Sequence, residues 1–212
     1  MHLKTIALVA IFLVLAEALA ENKVQGTPTE KNFVVHMPGA QPRRNDDYLC
    51  AGLSLKNLSG PKLYFTGFDV NANTTTVSHV KFYRCKGASA NLLEGAVYSC
   101  RNTEAFLEYV CHSSYFIFNW GRDAGPLSLP ENVGFEVDRD DHLIMQVHYK
   151  VPLDFNDKTS ALIQYTNEKP KYSAGLMPLS LPDQLIPAGV KNFQADMSCK
   201  VSLLCFYLFD FI

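Results

Sequence analysis

The sequence lacks both an excess of charge of either sign and the short motifs of the commonest enzyme classes. Its 19 lysines and arginines nearly balance its 21 aspartates and glutamates, for a formal net charge of −2, so electrostatics give no reason to expect a nucleic-acid partner. No G-x-S-x-G, H-E-x-x-H, P-loop or G-x-G-x-x-G pattern occurs. Internal repeats, low-complexity tracts and heptad series are also absent, which argues against solenoids and coiled coils.

No apolar run is long enough to cross a bilayer comfortably. The run from Ile6 to Leu15 lies behind a lysine in "MHLKTIALVAIFLVLAEALA", which ends in a small-x-small Ala-Leu-Ala. This pattern predicts a secretory signal peptide over residues 1–20, cleaved after its last alanine. A signal anchor is the disfavoured alternative, because the run is short and Glu17 interrupts it. We therefore expect a secreted protein or one in a secretory-granule lumen, with no membrane span after cleavage and an N-terminal segment at 21–32.

No two cysteines have the C-x-x-C spacing, so a structural zinc site is not expected. In an oxidising compartment the six cysteines instead predict disulfides. The first four allow three pairings, and their spacing alone does not choose among them. The six are Cys50, Cys85, Cys100, Cys111, Cys199 and Cys205. Two sequons, beginning at Asn57 and Asn73, are available for glycosylation in the same compartment.

Helical patterns are scarce, and only residues 102–111 have one. Elsewhere, short segments rich in Val, Ile, Phe and Tyr are bounded by clusters of Pro, Gly, Asn and Asp, which is typical of strands and turns. A hydrophobic content of 48% is enough for a packed core. We predict an all-β fold, an antiparallel β-sandwich in a single domain. The predicted strands are 33–36, 48–55, 62–69, 76–84, 115–120, 133–137, 142–149, 160–165 and one near 191–197.

Two predicted strands carry a histidine among polar neighbours. Alternation along residues 143–149 puts Leu, Met, Val and Tyr on one face, and Gln146 and His148 on the other. On the strand 76–84, His79 is expected to share a face with Val77, Lys81 and Tyr83. Histidines from separate strands of a rigid sheet can meet at a metal, since neutral imidazole is a common ligand of copper and zinc. The competing interpretation is that each is a surface or hydrogen-bonded histidine.

Five segments occur in the order, and near the spacing, of one known family. They are "MPGAQPRRNDDYLCAGLSL", "TVSHVKFYRC", "FNWGRDAGPLSLPENVGFEV", "LIMQVHYK" and "IPAGVKNFQADMSC". Through them the chain from residue 33 to about 199 resembles the N-terminal catalytic domain of the copper type II, ascorbate-dependent monooxygenases, above all their peptidylglycine α-hydroxylating members. No single segment is decisive, whereas the ordered set is specific. The resemblance implies a jelly-roll-like β-sandwich.

The resemblance also implies a copper site in which one ligand is replaced. The family's first copper is bound by two adjacent histidines of a "TVHH" segment and by the histidine of a "QVHY" segment. Here His79 matches the second of the adjacent pair, His148 matches the "QVHY" ligand, and Ser78 stands where the first should be. A serine hydroxyl is a poor copper ligand compared with imidazole. Gln146 is expected to lie beside a ligand without binding the metal.

Three other histidines are conceivable replacements for the missing ligand. We expect none of them to serve, because solvent-exposed polar residues are the simpler interpretation. They are His36, His112 and His142. His142 shares a strand face with His148, but six residues of straight strand separate the two by roughly 20 Å.

The resemblance implies two interleaved disulfides, Cys50–Cys100 and Cys85–Cys111. The family partner of Cys199 lies in a second domain, so Cys199 is expected to lack that partner. Cys205 has no family counterpart. A disulfide between these last two cysteines requires the backbone to fold back on itself.

By resemblance, the activity is Cα hydroxylation of the C-terminal glycine of a glycine-extended peptide, the first step of peptide amidation. Copper cycles between its two oxidation states there, with ascorbate as reductant. Oxygen and substrate react at a second copper, held by two histidines and a methionine of the second domain, and no histidine follows His148 here. We expect a first-copper domain at 33–200 and a non-family hydrophobic tail at 201–212, inactive alone. The alternatives are a non-catalytic secreted β-sandwich module and a truncated product.

Overall fold

The computed structural model describes residues 30–177, 185–194 and 196, and its architecture is a sandwich of two β-sheets. The all-β sandwich expected from the sequence is confirmed. The elements in chain order are β1 (Lys31–His36), β2 (Asp47–Ser54), β3 (Lys62–Asn71), β4 (Val77–Ala88), β5 (Val97–Ser99), α1 (Thr103–Val110), β6 (Cys111–Gly121), β7 (Leu127–Ser128), β8 (Val133–Asp138), β9 (His142–Tyr149), β10 (Ser160–Thr166) and β11 (Tyr172–Ser173).

The two sheets differ in strand order, and the histidine-bearing strands are neighbours in the smaller one. The six-stranded sheet has the order β1-β10-β3-β8-β11, with β7 also paired to β3. The five-stranded sheet has the order β5-β2-β9-β4-β6. All pairs are antiparallel except β8 with β11. As the central strand of the smaller sheet, β9 is hydrogen-bonded on both edges, to β2 and to β4.

The main core lies between the two sheets and is rich in aromatic side chains. Phe68 of β3 stacks on Phe118 of β6 with ring centroids 4.4 Å apart, so this pair joins the two layers. From β9 the main core receives the apolar face that alternation predicted, Leu143, Met145, Val147 and Tyr149, all fully buried. Burial of such side chains is worth about 1.5–3 kcal/mol each, so this face fixes the register of β9.

A second buried cluster covers the other face of the smaller sheet. It contains Ile144 of β9, three apolar residues of α1 and the first four cysteines of the chain. These cysteines form Cys50–Cys100 and Cys85–Cys111, the pairs that the resemblance implied. Asn102 caps α1 by accepting a hydrogen bond from the Ala105 N–H. The helix pattern at 102–111 thus corresponds to a real helix, held against the sheet by the disulfides on either side of it.

A β-bulge at the start of β4 changes which side chains share a face. Val77 pairs with Tyr149 and His79 with His148, which leaves Ser78 as an extra residue without a partner on β9. Val77 is therefore fully buried in the main core, and the expectation that it shares a face with His79 is wrong. Strict alternation failed here because the bulge inserts Ser78 between the inward-facing Val77 and the outward-facing His79.

The expectation of a strand near 191–197 is also wrong, as far as the structure describes those residues. Residues 191–194 and 196 adopt no strand, and 191–194 are exposed. Val190 and Phe193 keep 47% and 36% of their surface accessible, so no neighbouring described strand covers them. Three strands were not predicted, β5, β7 and β11, because segments of two or three residues are too short for alternation to be recognised.

Several expectations fall outside the described residues. These are the signal peptide at 1–20, Cys199, Cys205 and the tail at 201–212. Within the described part of the chain, no helix has the length and apolar character needed to cross a membrane.

Candidate metal centre

His79 and His148 lie side by side on the face of the smaller sheet that points away from the main core. They are direct cross-strand partners on β4 and β9, and the bulge at Ser78 sets this pairing. Without the extra residue, Val77 and Val80 could not both point into the main core while His79 points out. The structure therefore brings together the two histidines that the sequence had singled out.

The two imidazoles face each other through their Nδ1 atoms. These atoms are 3.4 Å apart, and the ring centroids are 4.8 Å apart at an interplanar angle of 58°. If one Nδ1 carries a proton, the contact is a hydrogen bond, and only one of the two can donate in it. Nε2 of His79 is buried and has no hydrogen-bond partner among the described residues. One ring nitrogen of the pair is thus buried without a hydrogen-bond partner within the described part of the chain.

His79 is held in its neutral form by its surroundings. Burial lowers its pKa from the ordinary 6.5 to about 4, and the positive charge of Lys81 and the neighbouring His148 act in the same direction. A neutral imidazole has a lone pair available for a metal ion, whereas an imidazolium has none. His79 is therefore ready to act as a ligand without first losing a proton at neutral pH.

Two residues of the neighbouring strand and turn fix His148, and sequence reasoning missed both. The ring of Tyr48 stacks on the His148 ring with centroids 4.1 Å apart and an interplanar angle of 8°. Asp46 Oδ1 lies 3.3 Å from His148 Nε2. Asp46 and Tyr48 belong to one of the segments that carry the family resemblance. Their role depends on β2 being the neighbour of β9, which strand patterns alone do not reveal.

The two histidines fit two positions of a metal ion's coordination sphere. Protein nitrogens bind Zn²⁺ at about 2.0–2.1 Å with a tetrahedral arrangement, and ligands at that distance lie roughly 3.4 Å apart. The measured Nδ1–Nδ1 separation of 3.4 Å is therefore compatible with one shared ion. No cluster of three or more His, Cys, Asp or Glu side chains able to hold a metal occurs in the part of the chain that the structure describes. The residues present thus offer two imidazoles, with Ser78 at the start of the same strand.

Gln146 lies on the same face as His148 but makes its hydrogen bond elsewhere. Its amide donates to the Thr103 hydroxyl at 2.6 Å and approaches the Cys100 sulfur at 3.6 Å. With only 1% of its surface exposed, it ties β9 to the first turn of α1. Lys81 is its cross-strand partner, and Asn119 pairs with Lys81 on the other side. Gln146 therefore separates the histidine pair from the disulfide-bonded end of the sheet.

The other histidines of the described residues lie elsewhere in the fold. His36 is exposed at the end of β1, in the six-stranded sheet, and His112 is exposed near the start of β6. His142 stands at the opposite end of β9 from His148. Asn57 and Asn73, the sequon asparagines, are both exposed in turns between strands.

The chain matches one protein family over more than half of its length. Residues 33–156 match the family described as copper type II ascorbate-dependent monooxygenase, N-terminal domain. This range begins in β1, ends between β9 and β10, and includes both histidines.

The curated relatives agree with that family. The chain is 26% identical to the peptidylglycine alpha-amidating monooxygenase of Rattus norvegicus over 185 residues, which is 84% of this chain and 18% of the relative. It is 28% identical to peptidyl-glycine alpha-amidating monooxygenase A of Xenopus laevis over 174 residues, 78% of this chain and 17% of the relative. The chain thus spans less than a fifth of the length of the curated relatives it matches.

Proposed function

Since the chain belongs to the copper type II ascorbate-dependent monooxygenases through their N-terminal domain, we propose that it is the first-copper domain of a secreted peptidylglycine α-hydroxylating monooxygenase. The relatives are named for peptidylglycine amidation, and the chemistry proposed here is hydroxylation at Cα of a C-terminal glycine. The observation that supports the proposal is the facing pair His79 and His148, on the two strands that the family resemblance had indicated. Copper held there supplies one-electron redox chemistry, with ascorbate as reductant.

The chain's own residues keep the two imidazoles ready for a metal. Burial and the charge of Lys81 keep His79 neutral, and stacking by Tyr48 fixes the plane of the His148 ring. The bulge at Ser78 turns His79 out of the main core and towards His148. With a serine in place of an imidazole, we propose that copper is bound more weakly than by a three-histidine site.

We further propose that residues 1–212 do not hydroxylate a peptide by themselves. Their last histidine is His148, so residues 149–212 cannot supply two histidines and a methionine for a second copper. A non-catalytic copper-binding module is the second candidate function. It is favoured by the absence, within the described ranges, of any cluster of three or more His, Cys, Asp or Glu side chains able to hold a metal.

A domain fusion distinguishes these possibilities. Residues 30–200 are joined to a second domain from a family enzyme, and hydroxylation of a glycine-extended peptide is measured with copper, oxygen and ascorbate supplied. The Ser78→His fusion is expected to be active, the unmodified fusion less active, and the Ser78→His, His148→Ala fusion inactive. A folded Ser78→His fusion without ascorbate-dependent product would contradict the enzymatic proposal. It would leave the copper-binding module as the better account.

A further inference from the structure

The carboxylate of Asp46 is placed to determine which nitrogen of His148 carries the proton. Its Oδ1 lies 3.3 Å from Nε2 of that ring, and an ionised carboxylate only accepts hydrogen bonds. A neutral His148 with its proton on Nε2 can donate to this carboxylate, which leaves the lone pair on Nδ1. That Nδ1 is the atom that faces His79 Nδ1 at 3.4 Å.

The backbone of Asp46 lies in the left-handed region and is fixed there by two hydrogen bonds. Its φ of 53° lies in the left-handed region, which non-glycine residues rarely adopt. The Arg101 guanidinium donates to the Asp46 carbonyl at 2.7 Å, and the Asp46 N–H donates to the Lys150 carbonyl at 3.4 Å. Since Arg101 follows Cys100, the Cys50–Cys100 disulfide anchors the group that holds Asp46. Strained residues fixed from several sides are common at functional sites.

Asp46 and Tyr48 restrict different movements of the same ring. Stacking by Tyr48 sets the plane of the His148 imidazole, and the carboxylate sets its rotation within that plane. We propose that Asp46 is a positioning residue, which keeps His148 protonated on Nε2 so that Nδ1 is the atom presented to the metal. This inference builds on the proposed copper site.

The matched variants are Asp46→Gly and Asp123→Gly. Both aspartates have a positive φ that glycine adopts without strain, and the exposed Asp123 side chain pairs with Arg122 rather than with a histidine. Nitrogen-correlated NMR of the metal-free 212-residue chain measures the His148 ring, identified by its loss in His148→Ala. In the unmodified chain and in Asp123→Gly we expect a His148 Nε2–H resonance protected from solvent exchange. In Asp46→Gly we expect that resonance to disappear.

Metal affinity gives the second measurement, with Cu²⁺ alone as the probe. Loss of a carboxylate behind a histidine ligand typically costs about 10–100-fold in affinity, so Asp46→Gly should bind Cu²⁺ more weakly by that factor. Asp123→Gly should bind as the unmodified chain does. Asp46→Asn, which keeps an acceptor oxygen and tolerates the left-handed backbone, should lie between the two.

Two results would overturn the proposal. One is an Nε2–H resonance that survives in both Asp46 variants, and the other is its loss to the same degree in Asp123→Gly. If the chain binds no copper at all, the proposed function fails. The metal-free NMR comparison still decides the role of Asp46, so the two failures are distinguishable.

Discussion

At the residue scale, the site depends on what stands at the bulge of β4. Ser78 is the extra residue there, without a partner on β9, and it comes immediately before His79, the residue that pairs with His148. An imidazole at this position adds a nitrogen ligand on the strand that already carries one, whereas the serine hydroxyl contributes little. The identity of one side chain thus separates a two-imidazole site from a three-imidazole site.

We predict that Ser78→His strengthens Cu²⁺ binding by at least about tenfold, equivalent to about 1.4 kcal/mol. Isothermal titration of the metal-free protein measures the change. The matched control is Ser114→His, which adds an imidazole at an exposed position of β6. An equal gain in Cu²⁺ affinity in the two variants would show that any added surface histidine strengthens binding, and that position 78 has no special role.

The pH dependence of stability provides a second test at this scale. The pKa of His79 is about 4 in the folded protein against an ordinary 6.5, because burial disfavours its charged form. As the pH falls from about 6.5 to about 4, the unfolded chain takes up a proton that the folded chain does not. The free energy of unfolding therefore decreases over this range. Burial also lowers the pKa of His142, which contributes in the same direction.

The contribution of His79 is the difference between the protein and its His79→Gln variant. Urea denaturation at pH 7 and pH 5 should show a smaller loss of stability on acidification in His79→Gln than in the unmodified chain. His112→Gln, which changes an exposed histidine of β6, should not reduce the loss. A His79→Gln variant with an unchanged pH response would mean that this imidazole is not shielded from protons.

At the element scale, β9 shows both what the sequence predicts and where prediction stops. Alternation identified its apolar face and put Gln146 and His148 on the other, and the structure agrees. The bulge of β4 was not predictable, because nothing in the pattern of Val77 and its neighbours distinguishes a bulge from regular alternation. Asp46 and Tyr48 were missed for a different reason. Their contact with His148 follows from the order of strands in the sheet, which is a tertiary property.

Ion pairs between charged side chains join the two sheets, in addition to the apolar core. Arg84 of β4 donates to Asp141 at 2.6 Å, to Asp138 at 2.8 Å and to the Glu136 carbonyl at 2.8 Å. The side chain of Asp141 is only 5% exposed, and that of Arg84 16%. Lys62 binds Asp138 and Glu136 from the other side, but its side chain is 45% exposed. The same network thus has one largely shielded cation, Arg84, and one solvated cation, Lys62.

We predict that Arg84→Met lowers the free energy of unfolding by about 3 kcal/mol, because it leaves the Asp141 carboxylate buried and without its cation. Lys62→Met should have a much smaller effect, since solvent screens the charges there. Urea denaturation of both variants at neutral pH makes the comparison. Equal losses would indicate that burial does not determine the strength of this network.

At the scale of the whole molecule, the account rests on two strands of one sheet that place two histidines within reach of one ion. The fold class could be predicted from the sequence, since many short strands between turn residues favour a sandwich. The expectation of a strand near 191–197 failed because a β-rich composition forms a strand only where a partner edge is available. The candidate metal site was singled out through the family resemblance, since strand histidines by themselves are compatible with an ordinary surface.

The central claim is that His79 and His148 together hold one metal ion, and a Cu²⁺ titration followed by electron paramagnetic resonance tests it most directly. Metal-free protein and its His79→Ala, His148→Ala and His112→Ala variants are compared. We predict one weakly bound equivalent with the nitrogen couplings of two imidazoles, retained in His112→Ala and lost in each of the other two variants. A tightly bound equivalent that persists in His148→Ala would contradict the account, because the copper would then be held elsewhere.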